Sequence, residues 1–350
     1  MGYRYIGSKE KLAPKLIAEI RQKCPTARTV IDLMAGTGLF SLALRREGFR
    51  VVASDVMTYS YHHLVVNLKL NHAPKFHGLV GIVGEGSDTY NRVLDYLNHI
   101  HPISGFFTKE YSPGGNPLAG CRPRMYFTTA NASKIDAIRQ TIKSWYEHKL
   151  INDVEHSLLL HDLIMSANNI ANIAGTYGHY LSHFVQRATD SISLVPCAFE
   201  EDDNIEGHEI RRGYAEELAP QLTADVCYID PPYIKRQYAA NYHILETLAR
   251  EDDPDAIGES GLRPWRDQYS DFCSKVKIRN AFDLIIRQIK CNNIFISYSE
   301  DGLLPIEDLL CFLQQYGNVE LSKIRYKRFR SNNSSKGLEL TEYLIYLLKV

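Results

Sequence analysis

Asp230-Pro231-Pro232-Tyr233 follows an apolar run containing Val226, Tyr228 and Ile229. Valine, tyrosine and isoleucine favour strands, and two successive prolines then stiffen the backbone and remove two N–H donors. A carboxylate is fixed at a strand exit, with carbonyl acceptors beside it and an aromatic ring at the end. Such a set suits a planar ring that carries an exocyclic amine. The acceptors take the amine's N–H groups and the tyrosine stacks on the π-face. Strand-Asp-Pro-Pro is also an ordinary strand exit, so the motif needs company.

Company comes from an earlier stretch. Thr29–Met34 is a short apolar run that reads as a buried parallel strand, and Ala35-Gly36-Thr37-Gly38 follows it directly. Leu39 to Arg46 has a helical pattern closed by Gly48. Glycines between strand and helix let a ligand approach the backbone, and the helix start offers unpaired N–H groups. A second strand, Arg50–Ser54, ends in Asp55. An acid roughly 20 residues past the glycine loop is where a Rossmann-like unit grips ribose hydroxyls. Asp32, just before the glycines, disfavours a pyrophosphate and favours a cationic ligand. S-adenosylmethionine carries a sulfonium and an ammonium, so methyl transfer fits this loop better than hydride transfer. A plain βαβ turn would also call for small residues here. Nearer the start, Tyr5-Ile6-Gly7-Ser8-Lys9 precedes an amphipathic helix from Leu12 to Ile20. Ser8 could cap that helix, which leaves Lys9 or Lys11 to meet an anion.

Taken in order, these pieces resemble the alpha-arrangement, Dam-type family of N6-adenine DNA methyltransferases. That family has a Tyr/Trp-x-Gly-x-Lys element, then Asp-x-x-x-Gly-x-Gly, then a recognition insert, then Asp-Pro-Pro-Tyr. Here they stand at Tyr5–Lys9, Asp32–Gly38 and Asp230–Tyr233. Asn172–Gly178 is similar to a turn in the family's recognition region, though it departs from the Dam pattern. Arg236-Gln237-Tyr238 and Asn241-Tyr242-His243 look closer to methylases of restriction-modification systems.

The resemblance implies a Rossmann-like α/β sheet that binds S-adenosylmethionine, with an inserted, mainly helical target-recognition domain. It implies catalysis by Asp230, Pro231, Pro232 and Tyr233 on the amino nitrogen of an adenine flipped out of duplex DNA. The cofactor would be held by Tyr5, Lys9, Asp32, Ala35, Gly36, Gly38, Asp55 and Asp230. Phe199 would lie against its adenine, after a third strand expected at Ile192–Cys197. A cognate restriction endonuclease acting separately is the implied partner. An RNA adenine methylase keeps the same chemistry, and so does a cytosine-N4 DNA methylase. Serine often replaces the aspartate for cytosine, so Asp230 favours adenine, and protein glutamine methylases carry asparagine there.

Composition sets outer bounds. The chain has 350 residues, 45% hydrophobic and 23% charged, with net charge −1. That length supports one large domain with a smaller one inserted. No global basic field marks a nucleic-acid partner, but Lys323–Arg330 is a basic run interleaved with aromatics. Seven cysteines without a Cys-x-x-Cys pair read as reduced thiols of a cytoplasmic protein. The histidines lack ligand spacing, so no metal is expected, and no apolar run reaches membrane-spanning length.

Organisation follows from periodicity. Residues 1–74 and 191–350 read as the methyltransferase domain, and 75–190 as the insert. Within the insert, Gly105 to Pro123 reads as a long irregular loop, followed by helices over Asn131–Lys149 and Val154–Ala174. Arg122, Arg124 and Lys134 are its candidate base-reading residues. Helices are expected at Tyr59–Leu70, Tyr242–Arg250 and Arg279–Lys290, with a fifth strand at Asn293–Tyr298. Leu321–Arg330 and Thr341–Val350 form a closing antiparallel pair, joined by a polar loop over Ser331–Gly337. The sequence leaves the recognition site and the oligomeric state open.

Overall fold

Short, almost wholly apolar strands form the centre of the sheet that carries the motifs. The computed structural model describes residues 5, 7, 9–84, 86, 88–117, 122–327 and 339–350. Ser8, Arg328–Arg330 of the basic run and the expected loop Ser331–Gly337 lie outside the described residues. The strands are β1 (Thr29–Asp32), β2 (Arg50–Asp55), β3 (Glu209–Arg212), β4 (Val226–Ile229), β5 (Asn293–Ser299), β6 (Gly317–Lys327) and β7 (Glu339–Lys349). They form one sheet in the order β3-β2-β1-β4-β5-β7-β6. The first five are parallel, and β7 runs antiparallel between β5 and β6.

Side chains alternate across a strand, and both faces of this sheet are covered. Val30, Val51, Val226, Tyr228 and Phe295 face one way, toward helices Ala13–Lys23 and Leu39–Arg46 through Leu16, Ile20, Phe40 and Leu44. Their neighbours Ile31, Val52, Cys227, Ile229, Ile294 and Ile296 face the other way. They meet helices Ile278–Gln288 and Ile306–Leu313 through Phe282, Ile285, Ile286 and Leu309. This two-sided burial explains the near-continuous apolar strands in the sequence. β2 lies to one side of β1 and β4 to the other, so the chain reverses its direction of winding at β1. The carboxyl ends of strands at such a switch point are where open α/β sheets place ligands.

The chain divides into two compact units. One comprises Gly7–Leu68, Asp202–Tyr238 and Gln268–Val350 and holds the whole sheet; the other comprises Met1–Ile6, Lys69–Glu201 and Ala239–Asp267. The second unit is helical, with Thr89–His99, Thr129–Glu147, Asp153–Ile170 and His243–Arg250 as its longer helices. Asn152 starts one of these with a full capping box, exchanging hydrogen bonds with Glu155. By compactness, Ala239–Asp267 groups with these helices rather than with the flanking sheet segments. His243 meets the Tyr177 carbonyl at 3.0 Å, and Glu251 meets His156 at 2.8 Å.

Three local expectations are corrected. Ile192–Cys197 is not a strand, and the strand beside β2 is Glu209–Arg212. Side chains of the helical unit satisfy the extended backbone there instead. The Asn131 and Asn98 carboxamides accept from Ile192 and Leu194, and the Tyr90 hydroxyl accepts from Cys197. The stretch read as an irregular loop from Gly105 opens with a helix, Phe106–Tyr111. Asp136 receives the N–H groups of Phe107 and Thr108 at its start, both at 2.8 Å. The first helix begins at Ala13 with Leu12 at its cap and a proline in its first turn, so it needs no serine.

Candidate functional site at the carboxyl edge of the sheet

Leu33–Gly38 leaves β1 as a tight turn tied to its neighbours. Leu33 N–H donates to the Tyr228 carbonyl and Ala35 N–H to the Ser54 carbonyl, while Ser54 Oγ donates to the Leu33 carbonyl. Gly36 and Gly38 both have positive φ, at 54° and 73°. The left-handed backbone at Gly38 favours glycine, and a Cβ there would also push on Asn67 Nδ2 at 2.8 Å. Asp55 ends β2 and serves this turn. One of its oxygens accepts from Gly36 N–H and the other from Met57 N–H, both at 2.8 Å. Its carboxylate is only half-buried.

Asp32 ends β1 beneath the turn. It is buried, and Ser41 Oγ donates to it at 2.6 Å from the helix that follows the glycines. Burial pushes its carboxyl up to about 7, against the Ser41 hydrogen bond and with the charges of Asp230 and Asp55 adding to the rise. It shapes the turn's floor and its field.

Asp230 leaves β4 beside this turn and meets Lys9. The ammonium lies 2.9 Å from Asp230 Oδ1 and 3.0 Å from Glu342 Oε1. Glu342 comes from β7, where it pairs in register with Ser299 at the end of β5. An antiparallel strand brings its early residues to the carboxyl edge of its parallel neighbour, and that is how Glu342 reaches the site. Lys9 and Glu342 are buried, and Asp230 keeps 16% of its side chain exposed. Burial alone would lower Lys9, but Asp230 and Glu342 outweigh it and hold the ammonium well above its usual value. Burial raises Asp230, against the pull of Lys9. It also pushes Glu342 up to about 7, again against Lys9 and reinforced by Asp230.

The motif's aromatic end is braced by the sheet. Tyr233 sits edge-on to Tyr298 at 6.1 Å, and its carbonyl accepts from Leu303 N–H. A Cβ on Gly302 would lie 2.3 Å from the Tyr298 ring, so only glycine lets this loop lie flat on it. Lys9 Nζ stands 5.5 Å from the centre of the Tyr233 ring. Behind the motif, Tyr228 packs on Phe40 and hydrogen-bonds Ser297.

The structure therefore gathers Lys9, Asp32, Ala35, Gly36, Gly38, Asp55, Asp230, Pro231, Pro232 and Tyr233 within the sheet unit. Tyr5 and Phe199 belong to the helical unit, where Tyr5 stacks on Tyr242 at 4.7 Å and Phe199 packs against Tyr90 at 6.0 Å. Lys9, read as free to meet an anion and to help hold the cofactor, is engaged by two carboxylates of the chain itself. Glu342 was missed by sequence reasoning. The available signal was an acid on the strand face shared with Leu344 and Tyr346, which packs into the core.

The base-reading candidates fare unevenly. Arg124 is fully buried, so it cannot read DNA from where it sits. Its guanidinium donates to Glu110 Oε2 and to the carbonyls of Glu110, Ala256, Gly258 and Glu259. Lys134 is half-buried on the Ile100 carbonyl, and Arg122 is exposed. Asn172 is also buried and structural. Its carboxamide donates to the Met125 and Leu181 carbonyls and accepts from Val185 N–H. Among the described residues no group of three or more His, Cys, Asp or Glu could hold a metal, and no helix is long and apolar enough to cross a membrane.

A doubly wound sheet whose carboxyl edge joins a glycine turn, two strand-end acids and Asp-Pro-Pro-Tyr defines a methyltransferase of the Rossmann-like α/β class. The chain belongs to the D12 class N6 adenine-specific DNA methyltransferases, whose family model matches residues 5–309. It is 36% identical over 358 residues to the type II methyltransferase M.FokI of Planomicrobium okeanokoites, covering 99% of this chain and 52% of that protein. It is 32% identical over 348 residues to the modification methylase StsI of Streptococcus sanguinis, covering 98% and 51%. It is 31% identical over 352 residues to the type II methyltransferase M.NlaIII of Neisseria lactamica, covering 99% of both. The chain thus spans about half the length of the first two and nearly all of the third.

Proposed function

We propose that this chain transfers a methyl group from S-adenosylmethionine to N6 of an adenine flipped out of duplex DNA at a specific sequence. It would act in the cytoplasm as the modification partner of a restriction endonuclease that works separately. One observation carries the reading: Asp230, mostly buried but still reachable at a stiff Pro-Pro strand exit, has one oxygen held by Lys9 beside the positive-φ glycine turn.

The residues present fit the cofactor. The positive-φ turn keeps the backbone partly exposed at Gly36, Asp55 offers a half-buried carboxylate for ribose hydroxyls, and Asp32 adds field to the floor. When bound, S-adenosylmethionine supplies an electrophilic methyl on a sulfonium. The chain's own task is to ready the nucleophile. Adenine's amino nitrogen is a poor one because its lone pair delocalises into the ring. Asp230 Oδ2 and the Pro231 carbonyl accept its two N–H groups and draw it toward tetrahedral geometry, which restores the lone pair. Tyr233 stacks on the flipped base, a contact worth about 1–3 kcal/mol by comparison with base–aromatic stacking. The proton leaves after transfer, so positioning and electrostatics do most of the catalysis.

The test is incubation with labelled S-adenosylmethionine and unmethylated duplex DNA, followed by nucleoside analysis by mass spectrometry. N6-methyladenine is expected. N4-methylcytosine would overturn the base assignment, and no product on DNA with methylation of RNA would overturn the substrate.

A further inference from the structure

We propose that Glu342 is a positioning residue for the reaction: it draws Lys9 onto one oxygen of Asp230 and so keeps the other oxygen available to the substrate's amino group. This rests on the methyl-transfer reading above.

The geometry gives the reason. A lysine ammonium has three donors and no preferred plane. Facing Asp230 alone, Lys9 could fork across both carboxylate oxygens and neutralise the very acceptor the amine requires. Glu342 Oε1 at 3.0 Å pulls the ammonium aside, and the contact to Asp230 is at Oδ1, 2.9 Å away. The groups that face this cluster are Tyr228, whose hydroxyl is engaged with Ser297, Tyr233, beside the ammonium, and Asp32, which interacts with the charge of Asp230.

Stability does not account for Glu342. It is fully buried, and a buried carboxylate is costly unless it is matched by opposite charge. Here two carboxyl groups share one ammonium, so once both have lost their protons the core carries an excess negative charge. A glutamine would fill the same volume without that excess. Among the described residues, neither Glu342 oxygen has a hydrogen bond of good geometry beyond the Lys9 ion pair. A carboxylate kept under such terms points to a role in the reaction. The excess charge also suits a site that must receive a sulfonium.

The experiment compares the wild type, Glu342→Gln, Lys9→Met and the double variant in steady-state methylation of duplex DNA, with thermal melting alongside. Glu342→Gln should lower kcat by at least about tenfold while KM for DNA and for cofactor stays within about threefold. Its melting temperature should not fall. Glu342→Asp, which keeps the charge, should recover part of the loss. Because Glu342 acts through Lys9, adding Glu342→Gln to Lys9→Met should change kcat by less than about twofold. Undiminished kcat in Glu342→Gln, with an active wild type, overturns this proposal alone. So do fully multiplicative losses in the double variant, or failure of both Glu342 variants to fold. No product from the wild type overturns the methyl-transfer reading and this proposal together.

Discussion

Two buried ionic clusters in this protein are built to opposite rules. In the helical unit, Arg124 and Glu110 form a one-to-one pair 2.8 Å apart, and the remaining guanidinium donors are spent on backbone carbonyls. At the sheet edge, one ammonium serves two carboxylates, and both carboxyls are raised by burial. The first cluster is balanced and closed. The second is unbalanced, and Asp230 keeps 16% of its side chain exposed. A charge that is fully matched holds loops in place, whereas one left short of partners is poised to take a ligand. The sequence alone shows an arginine in a Gly/Pro-rich stretch and a lysine after a glycine, and nothing there tells the two uses apart.

That contrast can be broken at either end. The largest expected effect is on activity. Asp230→Ala should cut methylation by at least about 10²–10³-fold, as loss of a preorganised electrostatic group does. Cofactor affinity by calorimetry should stay within a few fold, and melting should not fall, since removing the acid relieves the excess charge. Turnover at the wild-type rate would end the assignment of Asp230. Next comes Arg124→Met, which takes from buried Glu110 its ion-pair partner and from four backbone carbonyls their donor, and should lose about 3–5 kcal/mol of stability in urea unfolding. A loss below about 1 kcal/mol would mean that water or rearranged carbonyls replace the arginine, and the clusters would no longer be opposites.

The smallest effect sharpens the comparison through pH. Asp32 is held at about 7 in the folded chain, against about 3.9 for a free aspartate. A carboxyl raised on folding binds its proton more tightly in the native state, so its stabilising effect is full below the unfolded value. That effect is lost as pH rises from about 4 to about 7. Asp32→Asn imitates the protonated form at every pH. The variant should therefore match the wild type near pH 4 and exceed it by roughly 1–3 kcal/mol above pH 7. Equal stability of the two proteins at pH 8 would show that Asp32 carries no such strain.

Local patterns were legible, and contacts between distant segments were not. Asp230–Tyr233, the turn at Gly36 and Gly38, and Asp55 each sit where their own strand delivers them, so adjacent residues were enough to place them. Glu342 needed knowledge that β7 runs antiparallel beside β5, which no neighbouring residue announces. Ile192–Cys197 has the composition of a strand, but asparagine side chains of the helical unit took the backbone bonds a neighbouring strand would have made. Arg124 was misread because a basic residue among glycines and prolines looks exposed. The carbonyls that bury it come from Ala256–Glu259, far along the chain.

The place of β7 also dictates an order of assembly. It follows the other six described strands along the chain, yet it sits inside the sheet, between β5 and β6. β6 therefore gains its strand partner among the described residues only once β7 is in place, although Glu320 also meets Lys23 of the first helix. Lys9, made long before, likewise has no Glu342 to meet until that strand is threaded home. A chain still being translated would carry the glycine turn and Asp-Pro-Pro-Tyr but not the finished charge cluster. The charge cluster is thus complete only when both ends of the described chain have joined one sheet.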